Sequence, residues 1–355
     1  MLLTLMGIVL KILIVVGVTQ GAVAYLILVE RKVAAYAQDR IGPNRAGSEF
    51  GVPFALLQPL ADGAKMLLKE DVVPKYVTKP LYILAPWIAI ATAMVGFAVV
   101  PFGPVGPNEL INFQIAPNVD IGILYVMAVG SLAVYGVILA GWASNNKYAF
   151  IGGLRSSAQL ISYEIPLGLS ILGMVLIAGS LDMSTIINWQ SNHKLFGIIP
   201  LWGVFVQPLG FILFFTSAFA ETNRLPFDLP ESEQELVGGF HTEYSAMKFG
   251  MFFLGEYLHV ITVSFLTVIL FFGGWDLPFV LDQDQTSIIS AILKVAVITF
   301  KVALVILFIM WIRWTLPRFR YDQLMDLAWK SMIPLALVNL VATAAVVQLI
   351  RTYWT

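Results

Sequence analysis

The chain has 355 residues, of which 59% are hydrophobic and 12% are charged, and its formal net charge is -1. A mean hydropathy of +0.84 excludes an ordinary soluble domain and indicates an integral membrane protein. The chain has no cysteine and only three scattered histidines, which excludes disulfides and cysteine-held iron–sulfur clusters and gives no pattern of zinc or haem ligands.

Long apolar runs follow one another along the sequence. A helix that crosses a bilayer needs roughly 20 apolar residues, and unbroken runs favour helices over barrel strands. We therefore predict an all-α membrane protein in which residues 1–355 form a single membrane domain with about eight transmembrane helices. The candidate spans are 3–29, 80–101, 118–143, 157–179, 196–220, 247–273, 289–316 and 331–350. The first span is expected to remain in place, because it has no basic leader and no small-residue cleavage site.

Basic residues are concentrated in alternate connections. Sixteen of the 21 Lys and Arg residues fall on one side of the predicted bundle, which the positive-inside rule makes cytoplasmic. Lys194, Lys294 and Arg351 fall on the other side, whereas Lys11 and Lys301 lie within spans and their roles stay open. Both termini are therefore expected on the outer, periplasmic side of the membrane.

The first cytoplasmic connection, residues 30–79, contains an amphipathic segment, "VPFALLQPLADGAKMLLKED". Its leucines recur at helical spacing, and its charged residues lie largely on the other face, which predicts a helix in the plane of the membrane interface. Such a helix is either a simple surface anchor or the lip of a cavity into which a lipid-soluble ligand passes. The sequence leaves both possibilities open.

Three acidic residues lie inside or at the end of predicted spans: Glu164, Glu221 and Glu256. A carboxylate at bilayer depth costs at least about 2.5 kcal/mol on insertion scales, so such residues are usually functional. Hydrogen bonds between helices are the alternative explanation. His259 is three residues after Glu256 and shares its helix face, so the pair could relay protons, although a buried histidine with a structural role is more common.

Two cytoplasmic connections have unusual composition. Residues 221–246 form an acidic loop that begins "ETNRLPFDLPESEQE", and two prolines within it oppose a regular helix. The last connection reads "WIRWTLPRFRYDQLMDLAWK". Its arginines are expected from topology alone, yet arginines beside Trp and Tyr also suit a wall that contacts a planar ring or a partner's carboxylate.

Several long, irregular motifs together resemble one family. They are "LVERKVAAYAQDRIGPNRAG", "LLQPLADGAKMLLKED", "LRSSAQLISYEIPL", "ETNRLPFDLPESEQELVGGFHTEYSAMKF" and "RWTLPRFRYDQLMDLAWK". In this order they resemble the H subunits of bacterial NADH:quinone oxidoreductase, respiratory complex I, whose mitochondrial counterpart is subunit 1. The resemblance covers residues 28–330, almost the entire chain.

The resemblance implies a multi-pass subunit of the bacterial plasma (inner) membrane that joins the membrane and peripheral arms of a proton-pumping enzyme. Its implied partners are membrane lipid, neighbouring membrane-arm subunits, and the peripheral subunits at the terminal iron–sulfur cluster and the quinone site; nucleic acid is not among them. Quinone is the implied substrate. No NADH, flavin, iron–sulfur or other metal site is expected on this chain, and no catalytic residue is assigned.

The resemblance also implies residue roles. The residues expected to line or support a quinone-access chamber are Arg31, Arg40, Asp62, Lys65, Phe253, Arg313 and Arg318. The carboxylates expected to couple quinone reduction to proton movement are Glu164, Glu221, Asp228, Glu231, Glu233, Glu235 and Glu256. A solvated acidic loop that grips a basic partner is the alternative for residues 221–235.

Two other functional classes remain as alternatives at this stage. One is an ion transporter that uses Glu164, Glu221 and Glu256 as ligands, although no inverted repeat supports it. The other is the related membrane subunit of a hydrogenase or formate hydrogenlyase. The sequence does not distinguish ubiquinone from menaquinone, and it reveals neither the direction of turnover nor this subunit's share of proton pumping.

Overall fold

The computed structural model describes residues 2–104, 113–116, 119–195, 199–229, 237–277 and 288–353. Within these ranges the protein is helical, apart from one short antiparallel pair of strands. The helices are α1 (Leu2–Ala37), α2 (Gln58–Leu68), α3 (Lys79–Val95), α4 (Gly122–Ser131), α5 (Ala133–Ala143), α6 (Lys147–Ala178), α7 (Met183–Asn192), α8 (Gly203–Val206), α9 (Pro208–Glu221), α10 (Ala246–Phe271), α11 (Ile288–Thr315), α12 (Tyr321–Asp326) and α13 (Ile333–Tyr353). The strands are β1 (Lys194–Leu195) and β2 (Ile199–Pro200).

Seven helical segments among the described residues are long and apolar enough to cross a bilayer. Three of them are composite: a 3₁₀ turn, Gly96–Ala98, extends α3, α4 and α5 join at Leu132, and a π-helical turn, Leu327–Met332, joins α12 to α13. These segments confirm the predicted all-α membrane fold, and their number is close to the predicted eight.

The predicted fifth span, 196–220, differs from the others because its helix is interrupted. α8 ends before Gln207, whose backbone is not helical (φ -130, ψ 59), and Pro208 begins α9. Proline supplies no backbone N–H and clashes with the preceding turn, which disfavours a continuous helix; α6 nevertheless runs through Pro166, so the break here also depends on what Gln207 contacts. The Gln207 side chain instead bonds α13, donating to Thr343 (2.5 Å) and accepting from Asn339 (2.9 Å).

The core lies around α10. In the apolar 18-residue stretch of this helix 78% of the residues are buried inside the protein, whereas in the corresponding stretch of the last span only 6% are. α10 packs against α3 and α11, whereas α6 packs against α5, α9 and α13. Close packing of α6 needs glycine at one position in particular, because a Cβ on Gly152 would lie 2.7 Å from the Cα of Gly239.

Four connections meet at one end of the bundle, which we call the basic end (residues 38–78, 144–146, 222–229 with 237–245, and 316–320). Lys248 pairs with Asp71 at 2.7 Å, and the rings of Tyr82 and Tyr244 stack with centroids 4.2 Å apart. Asn146 donates to Glu243 at 2.5 Å. These contacts draw the starts of α3, α6 and α10 together. α2 is the predicted amphipathic helix, and its residues Leu60, Leu67 and Leu68 are exposed.

Candidate functional site

A cluster of four charged side chains, two buried and two partly buried, lies where α1, α10 and α11 approach the basic end. Arg224, in the turn after α9, contacts Glu256 (Nε–Oε1, 2.7 Å) and both carboxylate oxygens of Glu30 (3.2 Å each). Arg313 forms a second ion pair with Glu30, and the Tyr257 hydroxyl donates to Glu30 at 2.5 Å. Two carboxylates thus face two guanidinium groups, so the cluster is electrically balanced.

Arg224 is the centre of this cluster. Its side chain is 4% exposed, and its guanidinium lies 4.1 Å from the centroid of the Tyr257 ring, a cation–π arrangement. Burial opposes the charged form, but the carboxylates of Glu256 and Glu30 outweigh this effect and hold the pKa of Arg224 above its ordinary value. Arg224 therefore remains a fixed positive charge between two acids that come from different helices.

Glu30 and Arg224 had no site role in the sequence-based prediction. α1 is longer than predicted and continues to Ala37, so Glu30 lies on the buried face of a helix with Val23 and Ala34. These three residues follow the spacing of seven and four that marks one helical face. That periodicity is the signal that could have identified Glu30.

A cavity of about 80 Å³ adjoins the cluster and shares Glu256 with it. It lies between α10, α6, the α4–α5 junction and the Gly239–His241 turn. Its polar lining consists of Ser131, Glu164, Glu221, Thr222, Asn223, His241, Glu256 and His259. A cavity needs roughly 10–15 Å³ to hold one water molecule, so this one has room for several beside polar partners.

The structure brings the three predicted intramembrane acids together around this cavity. Glu164 accepts a hydrogen bond from Ser131, Glu221 ends α9, and Glu256 pairs with Arg224. Among the described residues no salt bridge joins Glu164 or Glu221 to a cation, in contrast to the balanced cluster. The acids therefore combine one anchored carboxylate with two that lie among hydroxyl, amide and imidazole groups.

His241 also lines the cavity, although no feature of the sequence singled it out. It closes the Gly239–His241 turn, and its ring packs edge-on against Phe240 and Phe249. Burial lowers the pKa of His241 to about 4, so its imidazole is neutral at physiological pH. A neutral imidazole carries one donor and one acceptor.

The remaining residues predicted for proton coupling are placed as follows. Asp228 is buried and pairs with Arg318 at 3.0 Å. Glu231, Glu233 and Glu235 lie outside the described residues. The segment from Thr222 to Leu229 forms turns rather than a helix, as the prolines of this loop predicted.

The residues predicted for a quinone chamber do not all lie together. Arg313 belongs to the charged cluster, Arg318 pairs with Asp228 beside it, and Phe253 lines the cavity. Farther out, Arg31 pairs with Asp62 on α2 (2.8 Å). Two basic side chains complete the set: Arg40 donates to Gln38 and Lys65 is exposed on α2.

Comparisons with known proteins agree with this architecture. The family model described as NADH dehydrogenase matches residues 10–344. The H subunit of NADH-quinone oxidoreductase from Leptospira biflexa is 49% identical over 337 residues, covering 91% of this chain and 90% of the relative. The H subunit from Thermomicrobium roseum is 45% identical, with 94% of each chain covered. NADH-quinone oxidoreductase subunit 8 of Rhodothermus marinus is 44% identical, covering 91% of this chain and 92% of the relative.

These matches span most of both chains at high identity and favour the oxidoreductase over the transporter and hydrogenase alternatives. They agree with the fold, since the described residues contain seven segments able to cross a membrane. The chain belongs to the family of NADH-quinone oxidoreductase H subunits and is a multi-pass membrane subunit of that multi-subunit oxidoreductase.

Proposed function

We propose that this subunit forms the wall of a quinone-access chamber at the junction with the peripheral arm, and that it couples quinone reduction to proton translocation. Quinone is the substrate of the complex, and the partners are membrane lipid, the peripheral subunits at the terminal iron–sulfur cluster and quinone site, and neighbouring membrane-arm subunits. The subunit resides in the bacterial plasma membrane with both termini on the periplasmic side. The segments 30–79 and 221–246 serve as the cytoplasmic docking loops.

One observation carries the coupling proposal: Glu256 belongs to both the charged cluster and the cavity. On one side it contacts Arg224 at 2.7 Å, and on the other it lines the same space as Glu164 and Glu221. Acids clustered in a low-dielectric environment cannot all be ionised, so they share protons and respond to nearby charge. A change of charge at the basic end is therefore transmitted through Arg224 and Glu256 to the cavity acids.

The basic end and the adjoining ends of α10 and α11 carry side chains suited to a quinone chamber. Arg313 and Arg318 are cationic donors that could polarise a quinone carbonyl, and each is held by a carboxylate, Glu30 and Asp228 respectively. Phe253 packs beside Phe249, with ring centroids 4.6 Å apart, and supplies apolar surface. The exposed leucines of α2 suit the membrane interface from which a lipid-soluble substrate enters.

The chamber proposal is tested with Arg318→Ala. The side chain of Arg318 is 30% exposed and paired with Asp228, so we expect assembly to be retained and NADH:quinone reductase activity to fall about tenfold or more, as for loss of a positioned donor. Arg320→Ala is the matched control, because Arg320 is two residues away and paired with the exposed Asp322. Normal activity in Arg318→Ala would remove that residue from the chamber.

The coupling proposal is tested separately with Glu256→Gln in membrane vesicles. We expect fewer protons pumped per NADH oxidised, because glutamine occupies the same volume but carries no exchangeable acid proton. Asp71→Asn is the control, since it removes an ion pair of the same length, Lys248–Asp71 at 2.7 Å, outside the cavity. Full pumping stoichiometry in Glu256→Gln would count against the role of this residue.

A further inference from the structure

His259 lines the cavity. It is the fourteenth of the 26 residues of α10, one turn beyond Glu256 on the same face. Its Nε2 atom is shielded from solvent and has no hydrogen-bond partner among the described residues. A buried polar atom without a partner costs free energy, so its persistence here calls for a group that fills the hydrogen bond.

The cavity supplies such a group in the form of water. Its volume of about 80 Å³ and its polar lining meet the requirements for ordered water, which needs space and two to four polar partners. Water in this space would join Nε2 of His259 to the carboxyl groups around it. The titratable groups that line the cavity with His259 are Glu164, Glu221, His241 and Glu256, and Arg224 is the charged group paired with Glu256.

We propose that His259 is a proton-carrying residue of this cavity that passes protons from Glu256 to Glu164 or Glu221. The inference rests on the proposed coupling function and adds a carrier to it. In the first step, the carboxylic acid of Glu256 releases a proton through water to the Nε2 lone pair, which leaves a carboxylate and an imidazolium. In the second step, the imidazolium returns the proton through water to the carboxylate of Glu164 or Glu221.

The surroundings suit a carrier of this kind rather than a permanent charge. An imidazolium that formed here would be attracted by the ionised carboxylates of the lining, while the neutral imidazole needs no counterion. Imidazole is also the side chain whose ordinary protonation range lies nearest neutral pH. Among the groups that line the cavity, His259 thus adds a basic acceptor on the same helix as the anchored acid Glu256.

The experiment uses the whole complex in inside-out membrane vesicles. His259→Gln preserves the polar character of the site but removes the basic nitrogen. We expect the rate of proton pumping to fall about tenfold. A positioned proton-transfer group typically contributes roughly 10²–10⁴-fold, but the loss here should be smaller because water in the cavity still provides a slower path. The rate of NADH oxidation by an artificial acceptor should not change. His193→Gln is the control, because His193 is exposed and its ring bonds the Trp189 carbonyl.

Comparison with Glu256→Gln separates failure of this inference from failure of the coupling proposal. If Glu256→Gln loses pumping and His259→Gln pumps normally from pH 6 to pH 8, the cavity conducts protons without the histidine and the inference is overturned. If both variants pump normally, the coupling proposal itself is overturned. Loss of pumping in both variants supports the two proposals together.

Chemical rescue distinguishes proton transfer from simple filling of space. In His259→Gly, added imidazole should restore pumping, whereas pyrazole, a ring of the same size but much weaker basicity, should not. Substituted imidazoles should restore rates that follow their basicity. If imidazole restores no more activity than pyrazole does, His259 has a packing role and the inference is overturned.

Discussion

Arg224→Met isolates the contribution of the charged cluster, because methionine keeps much of the apolar stem and removes the guanidinium. Glu256 then loses its ion pair with Arg224, and the cation–π contact with Tyr257 disappears. Glu30 keeps Arg313 and the Tyr257 hydroxyl as partners. The uncompensated charge is therefore concentrated on Glu256, whose side chain is 16% exposed.

Removing one partner of a buried ion pair costs about 3–5 kcal/mol. Since Glu30 remains paired, we expect Arg224→Met to fall near the lower limit, at about 3 kcal/mol. A change of 1 kcal/mol shifts the melting temperature of a chain of 150–250 residues by roughly 2–4 °C, and less for longer chains. The expected shift is thus about 5 °C.

The assay heats the purified complex in steps and measures the fraction of this subunit that stays associated, together with the remaining quinone reductase activity. Lys248→Met is the control, because the pair Lys248–Asp71 is partly exposed, at 17% and 48%, and such pairs are worth about 0–1 kcal/mol. The double variant Arg224→Met with Glu256→Gln should recover most of the lost stability. A single variant as stable as wild type, or a double variant no better than the single, would refute the reasoning.

Three further predictions concern other parts of the molecule. Gly152→Ala should destabilise the subunit by about 1–3 kcal/mol and lower the yield of assembled complex, because the new Cβ would lie 2.7 Å from the Cα of Gly239. Gly168→Ala, on the same helix, should change neither quantity, because a Cβ there has no neighbouring atom within 4 Å. Burial lowers the pKa of His241 to about 4, whereas an imidazole in the unfolded chain has a pKa near 6.5. Between these two pH values the unfolded chain binds a proton that the folded chain does not. The free energy of unfolding should therefore fall as the pH drops from 6.5 towards 4, by up to about 1.4 kcal/mol per pH unit. His241→Gln should reduce that slope in acid-denaturation measurements. Lys301→Met removes hydrogen bonds of 2.6–3.0 Å to three carbonyls at the end of α10 and should lower the melting temperature of the complex, whereas Lys330→Met, which removes an exposed pair with Asp326, should not.

Most of the fold follows from local sequence features. Long apolar runs predict spanning helices because the bilayer leaves backbone groups no other partner, and α2 follows from the spacing of its leucines. The interrupted fifth span shows the limit of this reasoning. Composition marks residues 196–220 as apolar, but the break at Pro208 depends on Gln207, which bonds residues more than 130 positions away on α13.

Part of the candidate site was predictable, because placing a charged side chain at bilayer depth costs free energy. That argument identified Glu164, Glu221 and Glu256, and all three line one cavity. Their convergence could not be derived from the residues alone, because it depends on how α6, α9 and α10 pack. Glu30 and Arg224 were missed for a related reason: a residue at the end of a span looks solvated until the partner that buries it is known.

The arrangement of charge explains why Glu256 is suited to connect two regions. In the balanced cluster, Arg224 is shared between Glu30 and Glu256, and Glu30 also pairs with Arg313, so any change in one ion pair alters the field at the others. The cavity acids Glu164 and Glu221 form no salt bridge with a cation among the described residues, so neither has a fixed counterion there. Weakening the Arg224–Glu256 pair would leave the Glu256 carboxylate short of positive charge, and a proton that replaces the lost charge must come from the bordering cavity. We infer that this sharing of one carboxylate between a balanced and an unbalanced environment is the physical basis of the proposed coupling.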